Sequence, residues 1–434
     1  MPATKNININ QYPATHKYLS LYFHAHQPYR LSNMSIFELG KKKYYFTGPL
    51  DQTNEYIINR VAERGYIPAN TMLLELLKTT GLKLSYSLSG VLLEQLESQA
   101  PEVIDLFVQM VDTGKTELIA ETYYHSLAFF HDKEEFVRQV HQHLHKLKKL
   151  FGYKPQVFRN TELTYRNDVG EFLRLMGFKG IFAEGWDPIL AGRNPSYIYA
   201  AQPVDLSASE QSLAIESAKP KRAVKQMKLL LKNYRLSDDI AFRFQLKGWE
   251  GYPVTADKFA NWAKETPGDL INLCMDYETI GEHHHADSGI FEFYRYLPHE
   301  LAKVGIEFVT PSEAIDLLKP VDTVDFPHIV SWADMERDLS AWTGNLLQQK
   351  SLESIYAIHS QVEAKLAELP TKAAKEELLD VWGRLQTSDH FYYMSTKYWS
   401  DGDVHKYFSP YKSPYEAFVT FQNTLRDFKM RYLG

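Results

Sequence analysis

The stretch YLSLYFHAHQP, residues 18–28, decides how the rest of the chain is read. Its side chains alternate with period two, which is the pattern of a β-strand, and residues two apart on a strand share a face. His24 and His26 therefore lie on one face at the C-terminal end of that strand. Similar segments recur at 82–90 (LKLSYSLSG), 116–121 (TELIAE), 156–160 (QVFRN), 180–184 (GIFAE), 240–244 (IAFRF), 270–276 (LINLCMD) and 306–310 (IEFVT). Helical patterns fall between them. The clearest is DKEEFVRQVHQHLHKLKKLFG, 132–152, with Asp132 as N-cap, an apolar stripe of Phe136, Val140, Leu144, Leu147 and Phe151, and Gly152 just past the end. Shorter ones are 167–177 and 296–305.

Strands that alternate with helices imply an α/β fold with a mainly parallel sheet. With seven or eight such units, a closed β/α barrel is favoured over an open sheet. The small, polar stretch 203–223 reads as a surface excursion within it. After about residue 320 strand signals give way to helical ones. The expected organisation is a lead-in at 1–17, a barrel at 18–322 and a helical domain at 323–434.

Composition narrows the function classes. At 44% hydrophobic, the 434-residue chain has enough apolar material for a large core, which excludes a disordered protein. A net charge of −6 gives no electrostatic reason to expect nucleic acid or an anionic membrane as partner. The single cysteine, Cys274, excludes an internal disulfide framework and a Cys-rich zinc cage. No secretory leader and no membrane-length apolar run is visible, so the expected location is the cytoplasm. Aromatic content is 14%, a weak pointer toward sugar-stacking surfaces.

In β/α barrels, sites form at the C-terminal ends of the strands. Four of the expected strands end in chemical side chains: His24 and His26; Glu121 and His125; Glu162; and Asp276 with Glu278. Each has a plain structural alternative. The histidines could be a hydrogen-bonded pair, Glu162 a carboxylate at a helix N-terminus, and Asp276 and Glu278 loop caps. Three alternate histidines on a helix, His141, His143 and His145, cannot share a face and read as solvated. Consecutive His283, His284 and His285 do not converge on one centre, so at most one is expected to reach a site. A metal held by His24, His26 and Asp276 is an alternative, although no HExxH motif supports zinc. Two carboxylates on separate strand ends suit glycoside hydrolysis, in which one attacks the anomeric carbon while the other, kept protonated, serves the leaving oxygen. Sequence order does not assign the two roles.

HQP at 26–28, TELIAETYYHS at 116–126, RNTEL at 159–163, MDYETIGEH at 275–283 and TPSEAI at 310–315, in that order, resemble the five sequence regions of glycoside hydrolase family 57. NYRLSDDIAFRF (233–244), SWADMERDLSAWTGN (331–345) and LQTSDHFYYMSTK (385–397) resemble its α-amylase branch. The resemblance implies an incomplete (β/α)7 barrel followed by a C-terminal α-helical domain that borders the site. It implies a retaining enzyme, without cofactor or metal, that cleaves internal α-1,4-glucosidic bonds of starch- or glycogen-type glucans and maltooligosaccharides. By position in the motifs, Glu162 would be the nucleophile and Asp276 the general acid/base. His24, His26, Glu121, His125, Trp186, Glu278, Trp342 and His390 complete the expected substrate-binding set. The competing readings are a 4-α-glucanotransferase or branching-type transferase on the same scaffold, a metal-dependent deacetylase or mannosidase, and a glucan-binding protein without catalysis.

Overall fold

The structure is a computed structural model that describes residues 16–50, 52–220, 223–397 and 408–434. The expected lead-in falls outside the described residues apart from its last two, and so do residues 221 and 222 of the 203–223 excursion.

Ten strands form one sheet: β1 (Lys17–Ala25), β2 (Leu84–Leu88), β3 (Thr116–Leu118), β4 (Val157–Arg159), β5 (Gly180–Glu184), β6 (Ile198–Ala201), β7 (Lys228–Lys232), β8 (Leu270–Asp276), β9 (Ile306–Phe308) and β10 (Thr323–Val324). Seven of them close a parallel ring. β8 pairs with β1, β1 with β2 and β2 with β3. A bridge from Ala120 to Phe158 carries the ring to β4, which continues through β5 and β7. The closing contact between β7 and β8 is a single pair, Lys232 opposite Asn272. Below it, β6 lies antiparallel on β7, with β10 beyond β6, so the barrel is parted along this seam. The incomplete (β/α)7 barrel expected from the motifs is the fold observed.

Strand parity separates two environments. Leu19, Leu21 and Phe23 of β1 face the helical shell, while Tyr22 joins Ile119, Val157, Phe182, Leu230 and Cys274 in the barrel interior. Tyr22 and Phe182 stack there at 4.5 Å. Two residues further on, the same inward parity carries His24, Glu121, Arg159, Glu184, Lys232 and Asp276, so an apolar plug supports a polar layer at the C-terminal mouth.

Helices cover the outside. Residues Lys133–Phe151 form the expected helix, with the Asp132 carboxylate accepting the Glu135 N–H and Gly152 in the left-handed region at φ 63°. Residues 203–223 are less irregular than expected. Ala208–Ala218 is a helix, opened by a Ser207–Glu210 capping box and packed on helices Lys133–Phe151 and Asn167–Leu175. Beyond β10, helices Leu346–Tyr356, His359–Glu368, Lys372–Arg384, Ser388–Tyr392 and Pro414–Phe428 form the helical part. It grips the barrel mouth through Arg384 on Glu94 at 2.9 Å and Asp389 on His26 at 3.0 Å. No helix among the described residues is long and apolar enough to cross a membrane.

Three expectations are corrected. Residues 240–244 are not a strand, because Tyr234–Ala241 is a helix capped by Asn233. Ile240 and Phe244, four apart, are buried while Phe242 between them is 71% exposed, which is helical spacing. β6 and β7 were not anticipated, since a fully buried run such as Leu229–Leu230–Leu231 carries no alternation. His143 is not solvated: it is fully buried, accepts the Glu121 N–H at 3.2 Å and donates to the Leu88 carbonyl at 2.9 Å.

Candidate active site

Glu162 follows β4 in the short turn Thr161–Leu163, at φ 57°. A left-handed glutamate is strained, and such strain persists only where neighbours enforce it. Here the Asn160 amide donates to Thr164, Thr164 Oγ1 donates to the Thr161 carbonyl, and the Trp332 backbone N–H donates to the Glu162 carbonyl. The side chain is held from two sides. His125 Nε2 donates to Oε1 at 2.7 Å and Trp332 Nε1 donates to Oε2 at 2.7 Å. Burial opposes ionisation of this carboxyl, but His125, Arg159 and the indole outweigh it and hold its pKa below the usual glutamate range.

Asp276 is the last residue of β8 and pairs in register with His24 of β1. Burial, reinforced by the charge of Glu162, pushes its carboxyl up to about 6, against the pull of Arg159 and Lys232. Glu278 is buried beside it, accepting from the Tyr66 hydroxyl and from Gln27 Nε2 at 3.3 Å. Burial and the Asp276 charge push it up to about 8. Burial likewise raises the Cys274 thiol, which leaves it unsuited as a nucleophile.

His24 Nδ1 bonds Ser87 Oγ at 2.8 Å, and His26 bonds Ser89 Oγ at 2.7 Å and Asp389 at 3.0 Å. Burial lowers the pKa of both, His24 the more strongly. His125 behaves oppositely: burial opposes its charge, yet its hydrogen bonds to Glu121 and Glu162 raise it to about 9.

A cleft of about 260 Å³ opens onto this layer. His24, His26, Glu162, Asp276, Glu278 and Trp342 line it, as does His283, the only one of the three consecutive histidines to do so. His284 instead bonds the Ile240 and Ala241 carbonyls, and His285 is exposed. Four expected substrate contacts do not line the cleft. Glu121 and His125 are buried behind Glu162, because their polar atoms are turned toward it and toward the β1 histidines. Trp186 packs against the hydrophobic core ahead of helix Asp187–Leu190. His390 is buried with Nε2 on the Arg384 carbonyl at 3.0 Å.

Trp332, Asp389, Lys232 and Arg159 belong to the site and were not singled out from sequence. Arg159 opens the RNTEL motif, and Trp332 and Asp389 sit inside other quoted motifs, so the signal was present without a role attached. Arg159 is fully buried and lies 5.0 Å from the Trp332 ring centroid, and Lys232 lies 5.2 Å from the same centroid.

The donor set argues against the metal expected under the deacetylase or mannosidase reading. Among the described residues, ligand atoms converge in two groups, His24–Glu121–His125 and His26–His125–Asp389, and Asp276 belongs to neither. Both groups require His125, whose two nitrogens already face carboxylates, with the Arg159 guanidinium 3.4 Å from Nδ1.

Comparison with known proteins agrees with this architecture. A family model described as Glycosyl hydrolase family 57 matches residues 20–327. A Methanocaldococcus jannaschii protein named "Putative alpha-amylase" is 42% identical over 415 residues, covering 94% of this chain and 83% of its own length. Among solved structures, a GH57-type branching enzyme from Pyrococcus horikoshii superposes with a TM-score of 0.64 at 15% identity, covering 90% of this chain and 87% of that one. A 4-alpha-glucanotransferase from Thermococcus litoralis gives 0.55 at 17% identity, covering 91% of this chain and 54% of that one. The structural likenesses establish a shared fold, and the sequence matches establish the family: this chain belongs to glycosyl hydrolase family 57.

Proposed function

We propose that the enzyme hydrolyses internal α-1,4-glucosidic bonds of glucans and maltooligosaccharides by double displacement. The observation that carries this is one cleft lined by two carboxyls in opposed environments, the Glu162 pKa held below the usual glutamate range and that of Asp276 pushed up to about 6. Glu162 attacks the anomeric carbon while Asp276 gives its proton to the departing oxygen. The Asp276 carboxylate then takes a proton from water, which attacks the same carbon and releases Glu162. The name of the M. jannaschii relative supports the substrate class. His24, His26, Glu278 and Trp342 are assigned to substrate contact on the strength of their place in the cleft. The chain is divided as a barrel at 18–322 and a helical domain at 323–434, whose first residues return to the barrel sheet as β10 and which borders the cleft through Trp342 and Asp389.

The test is incubation with maltoheptaose and amylose, with products resolved by size over time. Shorter products from the outset support internal hydrolysis. Longer or branched products mean that a sugar hydroxyl intercepts the intermediate, the transferase reading that the fold neighbours keep in view. Binding without turnover would leave only a glucan-binding protein.

A further inference from the structure

Glu121 and His125 are buried and do not line the cleft, yet they are aimed at the reacting centre. His125 Nδ1 faces Glu121 Oε2 at 3.4 Å, and Nε2 faces Glu162 Oε1 at 2.7 Å. Burying an ionised carboxylate is costly unless it is paired, and Glu121 Oε1 has no hydrogen-bond partner among the described residues. Its position is set from behind, where His143 accepts its backbone N–H. A second observation is independent of charge. His125 and Glu162, the two partners of the short hydrogen bond, both lie in the left-handed region, at φ 53° and 57°. His125 is held there by its N–H on the Thr122 carbonyl and by the Ser388 N–H on its own carbonyl. Two strained residues meeting at one bond mark a geometry that the surrounding structure enforces.

We infer that Glu121 acts through His125 as a positioning pair for Glu162, orienting the imidazole and keeping it charged against the nucleophilic carboxylate. This rests on the reading of Glu162 as nucleophile. No proton passes between Glu121, His125 and Glu162. As the Glu162–anomeric carbon bond forms, the glycosidic C–O bond breaks and its oxygen leaves with the Asp276 proton; when water later displaces the carboxylate, the electron pair returns to Glu162 opposite the imidazolium. The groups facing His125 are consistent with one retained proton. His26 and His24 of β1 stack on it at 4.0 and 4.8 Å, and their own pKa values are lowered, chiefly by burial. Arg159 opposes its charge from β4, while Glu121 and Glu162 favour it. Asp389, from the helical part, and Asp276, from β8, complete the charged surroundings.

The sign follows directly. Glu162 must be ionised to attack, and the imidazolium lowers its pKa. Removing the imidazole raises Glu162, so the acid limb of kcat/KM moves to higher pH. His125→Gln is expected to move that limb up by about one unit, a tenfold loss at a fixed low pH, with KM for maltoheptaose little changed. At that limb the imidazole of Glu121→Gln is still protonated, so this variant is read at the ring itself: its histidine-¹⁵N titration is expected to fall by about one unit. Wild-type enzyme trapped with a 2-deoxy-2-fluoro glycosyl fluoride, followed by peptide mapping, separates the two claims. A label on Glu162 with a moved limb in His125→Gln and a lowered ring titration in Glu121→Gln supports the pair. A label on Glu162 with either of these unmoved overturns the pair and leaves the nucleophile standing. A label elsewhere overturns both. If neither variant folds, histidine-¹⁵N spectra of the wild-type enzyme decide: an imidazolium at His125 persisting to about pH 8 supports the pair, and a neutral ring at pH 7 overturns it.

Discussion

Asp276 and Glu162 start from nearly the same carboxyl chemistry and are driven apart by their neighbours. Glu162 receives two N–H donors, while the Asp276 carboxyl has no hydrogen bond among the described residues and the charge of Glu162 acts on it. The proposed double displacement requires Glu162 ionised and Asp276 protonated. The predicted kcat/KM profile is therefore a bell whose acid limb lies below the ordinary glutamate value and whose alkaline limb falls near pH 6. Asp276→Asn should abolish the alkaline limb together with most of the rate, a loss on the order of 10²–10⁴-fold. Trp332→Phe keeps a ring beside Arg159 and Lys232 but removes the N–H on Glu162. A hydrogen bond to a charged group is worth about 1.5–3 kcal/mol, so kcat should fall roughly ten- to hundredfold with the melting temperature little changed. The places of both carboxyls could be read from the sequence because Asp276 ends, and Glu162 closely follows, a strand that can be recognised locally. Trp332 could not be read, since its role arises only when a residue 170 positions away folds onto Glu162.

Elements place these side chains through register. The β1–β8 pairing sets His24 beside Asp276, and a slip of one residue would turn both out of the barrel. The same parity explains Cys274, which lies two residues below Asp276 and fills the interior. The loop after β8 depends on Gly281, at φ 98°, where an added Cβ would collide with the Arg64 carbonyl. Gly281→Ala should destabilise the protein by more than about 1 kcal/mol and disturb the neighbouring Glu278, measurable together by denaturant unfolding and activity. Elements with alternation or caps were legible, as β1, β8 and helix Lys133–Phe151 show. The buried run in β7 lacks any period, and the 240–244 alternation coincides with a helix end whose true spacing is set by packing.

At the scale of the whole molecule, the barrel supplies both carboxyls and the helical part adds Trp342 and Asp389 to the cleft. Fold class and the order of motifs were legible because they extend along the chain. The seam between β7 and β8 was not, because it depends on where β6 inserts. None of the chemistry proposed needs a metal, and the converging donors are already engaged with one another. Exhaustive dialysis against a chelator should leave the hydrolysis rate unchanged, whereas a metal-dependent deacetylase or mannosidase would lose it. The most direct test of the central claim is covalent trapping with a fluorinated glycosyl substrate and mass mapping of the labelled peptide. Double displacement predicts one sugar on Glu162; a label on any other residue, or inverted product with no label, would contradict it.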